Sequence, residues 1–342
     1  MARHAGVSKG AVSFAFNGRS GVSSDTRARI FTAATELGWQ PSHKARSLSA
    51  SRAFAFGLIL ARPPELLGSD PFFPAFIAGV ETVLGPAGYS LVLQVVDGAE
   101  AEEQGYRRHA GDGRVDGVIL TDLRIDDTRI GLLSALGLPT VTLERPDVES
   151  PFPAVCMDDK PGVREAVGHL VALGHTRIAH VSGPLQLLHS AHRRDAWAQA
   201  LQEAGLAAEL LVACDFTAVG GAAATSQLLD LKNPPSAIVY ANDLMAIAGL
   251  AVANGRGVAV PRDLSIVGYD DVELAAYLHP SLSTVRTDPY RWGRAAATTL
   301  IELLAGQQPA DVHLAPARFV ARDSTGPAPD TRKPPTHQGV SQ

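Results

Sequence analysis

From residue 54 onward the chain repeats one pattern: a short apolar run, a turn, then a stretch with helical periodicity. The apolar runs fall at 56–60, 90–95, 117–120, 140–143, 154–157, 177–182, 237–240 and 265–268. Helical patterns sit between them, as at 76–85, 162–173, 191–204 and 244–254. Strands that alternate with helices read as a parallel, doubly wound sheet. There are too many runs for one small sheet, so the expected fold class is α/β with two Rossmann-like lobes. Ligands of such folds bind beyond the carboxyl ends of the strands, here in a cleft between lobes.

The first 53 residues read differently. Gly6 in Ala5-Gly6-Val7-Ser8 can take the positive φ that ends a helix, and Ser8 can cap the next one. Val12, Ala15 and Phe16 then share a helical face, with Gly18 as the stop. A second cap at Ser23-Ser24 opens a helix whose Ile30, Ala33, Ala34 and Leu37 recur at helical spacing, ended by Gly38. This all-α layout, turning on Gly-Val-Ser, is that of a helix-turn-helix. The next stretch, 41–49, is long enough for only two turns, and Leu48 is its one large apolar residue. So short a helix is marginal in water. Two readings stand: a disordered linker, or a hinge helix that orders on DNA and wedges Leu48 between base steps in the minor groove. The expected domains are therefore a head at 1–40, a hinge or linker at 41–53, a two-lobed body at 54–325 and a disordered tail at 326–342.

Charge follows the same division. The net charge is −5. Within 1–52, Arg3, Lys9, Arg19, Arg27, Arg29, Lys44, Arg46 and Arg52 face only Asp25 and Glu36, which makes +6 and leaves −11 for the rest. A basic head on an acidic body suggests that only the head meets a polyanion; a solvated charged face is the plainer alternative. No window holds the ~18 uninterrupted apolar residues of a membrane helix, and the N-terminus lacks the apolar run of a secretory signal. The expected location is cytoplasmic, with no membrane partner. Cys156 and Cys214 are too few for a disulfide framework and lack zinc-ligand spacing.

Several stretches, in order, resemble the lactose-repressor/galactose-repressor (LacI/GalR) family of bacterial transcription regulators. In the head these are Ala5-Gly6-Val7-Ser8, Val12-Ser13, Asn17-Gly18, Val22-Ser23, Thr26-Arg27, Glu36-Leu37-Gly38-Trp39-Gln40-Pro41 and Ala45-Arg46-Ser47-Leu48. In the body they include Asp70-Pro71-Phe72-Phe73, Val115-Asp116-Gly117, Leu173-Gly174-His175-Thr176-Arg177, Ala241-Asn242-Asp243 and Val267-Gly268-Tyr269-Asp270-Asp271. The resemblance covers 1–325 and extends to periplasmic sugar-binding proteins for the body alone. It implies DNA contacts from Ser8, Lys9, Gly10, Ser13, Phe14 and Asn17, and from Ala45 and Leu48 in the hinge, with Leu48 as the minor-groove wedge. It also implies effector contacts from Phe72, Phe73, Glu144, Arg193, Phe216, Asn242, Asp270 and Thr287. Many relatives carry Arg where this chain has Phe14, and Phe cannot make the bidentate guanine bond that Arg makes. The family's first helix also begins before this chain's Met1, so either the true start lies upstream or the head is weakened, and an upstream start is the expectation.

The implied effector residues suit a polyhydroxyl ligand, since Arg193, Asn242 and Asp270 can each bond adjacent hydroxyls while Phe216 covers C–H patches. Plainer readings remain for each. Arg193 with Arg194 and Asp195 can be a surface ion-pair cluster, Asp270-Asp271 can cap a following helix, and Phe72 and Phe73 can be core. Nothing supports an enzyme: there is no Gly-x-Gly-x-x-Gly after the first strand and no Walker loop. His189-x-x-His192 is only a two-ligand spacing, and adjacent Asp270-Asp271 cannot flank a glycosidic bond. No cofactor or metal is expected. The implied partners are double-stranded operator DNA, a small effector, carbohydrate by its contacts, and a second copy of the chain. The proline-rich end has no leucine repeat, so a homodimer is expected.

Overall fold

The computed structural model describes residues 1–16, 20–39 and 52–329. The chain divides into two compact units, Met1–Phe54 and Ala55–Gln342.

In the first unit, residues 1–7 form a turn in which the Ala5 N–H donates to the Met1 carbonyl and Val7 N–H to Ala2. Gly6 has φ +63°, as the reversal requires. Ser8 Oγ accepts from Ala11 N–H at 3.1 Å, opening α1 (Lys9–Phe16). Ser23 caps α2 (Ser24–Glu36) through Thr26 N–H. Ala5, Ala15, Ile30 and Ala33 form the small core, with Val7, Val12, Phe16 and Val22 against it. Leu37, expected on the apolar face, is instead 47% exposed. It is the C-cap of α2, where the chain departs from the helical path.

The second unit holds two six-stranded sheets. The first lobe contains β1 (Ala55–Leu60), α3 (Pro64–Ser69), α4 (Phe72–Ala87), β2 (Ser90–Val95), α5 (Gly98–Gly111), β3 (Gly117–Leu120), α6 (Thr128–Ala135), β4 (Thr140–Leu143) and β5 (Ala154–Cys156). The second lobe comes next, with α7 (Lys160–Ala172), β6 (Ile178–Ser182), α8 (Leu188–Glu203), β7 (Leu211–Ala213), α9 (Ala218–Leu229), β8 (Ala237–Tyr240), α10 (Asp243–Gly255), β9 (Ser265–Asp270) and β10 (Ser283–Arg286). The chain then returns to the first lobe with α11 (Pro289–Leu304) and β11 (Val312–His313), and to the second with β12 (Arg318–Val320).

Strand orders are β11-β5-β4-β3-β1-β2 and β12-β10-β9-β8-β6-β7, parallel throughout except for β12 against β10. In each lobe the chain starts inside the sheet, steps once outward, then reverses past its start. The reversal leaves a crevice between β1 and β3 and another between β6 and β8, the places where such sheets take ligands. Phe56, Leu58, Phe76 and Trp292 anchor the first core. Two clusters, around Ile238 and Ile266 and around Trp197 and Val239, cover the faces of the second sheet.

Three crossovers join the lobes, after β5, β10 and β11. Two of them are bonded together: Leu314 N–H donates to Cys156 O at 2.8 Å and Ala317 N–H to Asp158 O at 3.0 Å. The lobes are also tied main chain to main chain, by Ile125 N–H to Gln186 O at 2.9 Å and Leu188 N–H to Leu123 O at 2.8 Å.

The tail expected to leave the fold at 326 stays attached. Gly326 N–H donates to Ser265 Oγ at 3.1 Å and Ala328 N–H to Leu173 O at 2.9 Å. Proline bars a helix there, but an extended segment needs none to pair with main-chain groups the body leaves open. Residues 330–342, the rest of that expected tail, lie outside the described residues, as do 40–51, which hold most of the hinge.

Candidate functional site

A cavity partly open to solvent lies between the lobes. Its walls come from the carboxyl ends of strands on both sides: Arg62 after β1, Thr121 and Asp122 after β3, Glu144 after β4, Phe216 after β7, Asn242 after β8 and Asp270 at the end of β9. Phe72 and Trp292 come from α4 and α11, and His189 and Arg193 from α8. Four of these residues have positive φ without being glycine: Asp122 at 51°, Glu144 at 74°, Phe216 at 68° and Asp270 at 111°. Such backbone costs about 1–3 kcal/mol per residue and gathers where side chains must be aimed at a ligand.

Arg193 is buried rather than part of a surface cluster. Its Nε donates to Asp159 Oδ2 at 2.8 Å, its Nη1 to Ala241 O at 3.0 Å, and its guanidinium lies 3.6 Å from the centre of the Tyr269 ring. Three of its five N–H donors stay available. The surface pair is that of Arg194 with Asp195.

Asn242 is more committed than its sequence position suggests. Its Oδ1 accepts from Met245 N–H at 2.9 Å, capping α10, and its Nδ2 donates to Phe216 O at 3.0 Å. One N–H and one lone pair remain for a ligand.

Asp270 does not cap the 3₁₀ turn beyond it; Val272 N–H is taken by the buried Asp243, at 2.8 Å. Its neighbour Asp271 turns away to Arg286 and Arg322. Phe216 stacks on His189 at 5.6 Å, and Phe72 meets Trp292 edge-on at 6.1 Å. Phe73 packs into the first lobe's core at 2% exposure and does not line the cavity. Nor does Thr287, which lies at a crossover with its hydroxyl buried and unbonded among the described residues.

Arg62, Asp70, Asp122, His189 and Trp292 were not foreseen as cavity residues. Arg62 donates twice to Asp122, at 2.6 and 2.5 Å, and spans the Phe73 and Phe216 rings at 5.2 and 4.9 Å. Both Arg62 and Asp122 lie two residues past a strand that the sequence reveals, so the rule placing ligands at strand ends would have found them.

Burial opposes ionisation of Asp122, but the Arg62 guanidinium outweighs it and holds the carboxyl below its usual range. Burial pushes Asp70 up. Burial and the charge of Asp70 push Asp270 well above the ordinary carboxyl range, and burial with the nearby Asp159 pushes Glu144 to about 8. Burial and Arg193 drop His189 to about 3, so its ring stays neutral. Glu144 Oε1 accepts from Met157 N–H at 2.8 Å, on the first crossover.

The Glu144 shift has a measurable consequence. The folded chain keeps the Glu144 proton at pH values where the unfolded chain, at 4.5, has lost it. Folding takes up a proton in that window, so this contribution to stability falls as pH rises from about 5 to about 8 and is flat beyond. Glu144→Gln should melt with a shallower pH slope than the parent across that window. Parallel slopes would assign the effect to other carboxyls.

In the first unit, Ser8, Lys9, Gly10, Ser13 and Phe14 are all exposed on α1 and its lead-in. Asn17, Ala45 and Leu48 lie outside the described residues. Among the described residues no group of three His, Cys, Asp or Glu side chains could hold a metal, and no helix is long and apolar enough to cross a membrane.

The pattern of bacterial regulatory proteins of the lacI family matches residues 1–42, and that of a periplasmic binding protein-like domain matches 167–325. The HTH-type transcriptional regulator CelR of Thermobifida fusca is 34% identical over 319 residues, covering 92% of this chain and 93% of that protein. The chain belongs to the LacI family.

A second relative, the HTH-type transcriptional regulator AglR of Rhizobium meliloti, is 33% identical over 343 residues, covering 96% of this chain and 94% of its own. Among solved structures, the transcriptional regulator CelR–cellobiose complex superposes with a TM-score of 0.73 at 32% identity, covering 94% of this chain and 98% of that one. The lac repressor dimer bound to operator and the anti-inducer ONPF gives 0.83 at 29% identity, covering 95% and 97%. As a LacI-family member the chain is a DNA-binding transcriptional regulator, not an enzyme.

Proposed function

We propose that this regulator is a cytoplasmic, homodimeric repressor whose grip on a near-palindromic operator is set by a carbohydrate bound between its lobes. The observation that carries the reading is one cavity shared by both lobes, with Phe72 and Glu144 from one and Arg193, Phe216, Asn242 and Asp270 from the other. A molecule that contacts both lobes has a different affinity for each lobe angle, and only such a difference can shift the equilibrium. Aromatic planes beside carboxylates and a guanidinium suit the alternating C–H and O–H faces of a sugar. The similarity to CelR, solved with cellobiose, and to a lac repressor dimer solved on its operator supports sugar, dimer and DNA together.

In this reading Lys9, Gly10 and Phe14 face the major groove, flanked by Ser8, Ser13 and Asn17, while Ala45 and Leu48 meet the minor groove. Two-fold symmetry matches each head to half an operator. Gel-shift or fluorescence titration of the full chain against duplex from its own upstream region tests it. Binding should fall about 10³-fold between about 50 and about 200 mM salt if about six phosphates are contacted. Adding the cognate sugar, found by screening mono- and disaccharides, should weaken it further. Salt-insensitive binding, or an operator complex that no carbohydrate alters, would sink the reading.

A further inference from the structure

Both guanidiniums in the cleft already have partners, and that leaves an excess of acid. Arg62 is matched by Asp122 through two hydrogen bonds. Arg193 is matched by Asp159, with the Tyr269 ring beneath it. Among the described residues no lysine lines the cavity, and burial keeps His189 neutral. Three lining carboxyls remain, each from a different segment: Asp70 ahead of α4, Glu144 after β4 and Asp270 at the end of β9. Asp159 and Asp243 stand close behind, and their charges also act on Asp270.

Helix N-termini are the usual refuge of a phosphate, but of three at this cavity two are filled by side chains of the protein, and the third, α8, has its first N–H, that of Leu188, already donated to Leu123 O. Asp70 accepts Phe72 N–H at 3.0 Å at the start of α4. Asn242 accepts Met245 N–H at the start of α10.

We infer that the cleft selects its effector by charge, accepting uncharged or amine-bearing polyols and rejecting phosphorylated or acidic sugars. Hydroxyls and ammonium groups can bond to these carboxyls, whereas an anion would bring negative charge among them when the charges of Arg62 and Arg193 are each already matched by a carboxylate. The inference rests on the proposed sugar-responsive function and narrows its ligand class.

The test is a thermal-shift titration of the full chain at constant ionic strength. Cellobiose, glucose and glucosamine are set against glucose 6-phosphate, gluconate and inorganic phosphate. Saturable stabilisation is expected only from the neutral and amine-bearing group, and a phosphorylated counterpart should bind about 100-fold more weakly or worse. A phosphorylated sugar or inorganic phosphate that binds as tightly as a neutral sugar overturns the inference.

A ligand-free arm separates this from the sugar reading. Asp70→Asn and Asp270→Asn each remove one of the crowded ionisable carboxyls without changing shape, so each should raise the melting temperature of the empty chain near pH 8. Unchanged or lower values in both variants overturn the charge argument. A rise in both, with no sugar of any kind stabilising the parent, would retain it and overturn the carbohydrate.

Discussion

Arg193→Ala is expected to abolish the response to any sugar that releases the parent from its operator, and to destabilise the body by about 3–5 kcal/mol. The two effects have one origin. Asp159 is 7% exposed and accepts from both Arg193 and the Tyr269 hydroxyl. Removing the guanidinium strands that carboxylate in the interior beside Asp270 and Glu144, whose charges it also crowds. It also leaves the Ala241 carbonyl, at the end of β8, without its Arg193 donor. Arg193→Lys should recover part of the stability through its charge, but not the response. An ammonium cannot lie flat on Tyr269 while donating to Asp159 and Ala241 together. Denaturant titration reports the first effect and sugar-dependent operator release the second. A variant that melts with the parent, or still lets go of DNA when sugar is added, would show that Arg193 is peripheral.

The second large effect is expected at the contact between two helices of the first lobe. Helices α4 and α11 meet backbone to backbone at two glycines. A Cβ on Gly79 would stand 2.0 Å from the Tyr290 carbonyl oxygen, and one on Gly293 would stand 2.1 Å from that of Phe76. Main chain cannot rotate out of the way as a side chain can. Gly79→Val should therefore cost about 3 kcal/mol or more, lowering the melting temperature by about 6–12 °C. It should also damage the cleft, because α11 carries Trp292, which lines it and donates to Val155 O at 2.7 Å. Gly168, exposed on α7, is the control: a Cβ there meets nothing within 4 Å, and Gly168→Ala should be neutral or mildly stabilising. Calorimetry on the two variants decides it. Equal melting temperatures would mean the helices can part without loss.

Much of this architecture is legible in the sequence. The apolar runs at 56–60, 117–120 and 237–240 are buried along their whole length, and complete burial on both faces is what makes a parallel strand conspicuous. The strands that the pattern does not reveal are β7, β10, β11 and β12. β7 and β11 are short and half-exposed, β12 is an antiparallel edge, and β10 is buried but holds Ser283 and Thr284 in place of an apolar run.

The site divides along a similar line. Glu144, Phe216, Asn242 and Asp270 converge because each follows or ends a strand, and Arg193 joins them from the second turn of α8. Phe72 and Phe73, adjacent in sequence, part company: helical geometry sends one to the cavity and the other to the core. No pattern of residue types separates them. Equally hidden is how much of Asn242 the protein keeps for itself, since a hydrogen bond to a carbonyl 26 residues away leaves no trace in composition or spacing.

The direct tie between the lobes runs through peptide groups at Leu123, Ile125, Gln186 and Leu188. Every residue but proline carries both halves of a peptide hydrogen bond, so these side chains can vary while the latch survives. The walls of the chamber, by contrast, are side chains, each replaceable alone. Which molecule is sensed can therefore drift over evolutionary time while the machinery that shuts around it is inherited unchanged.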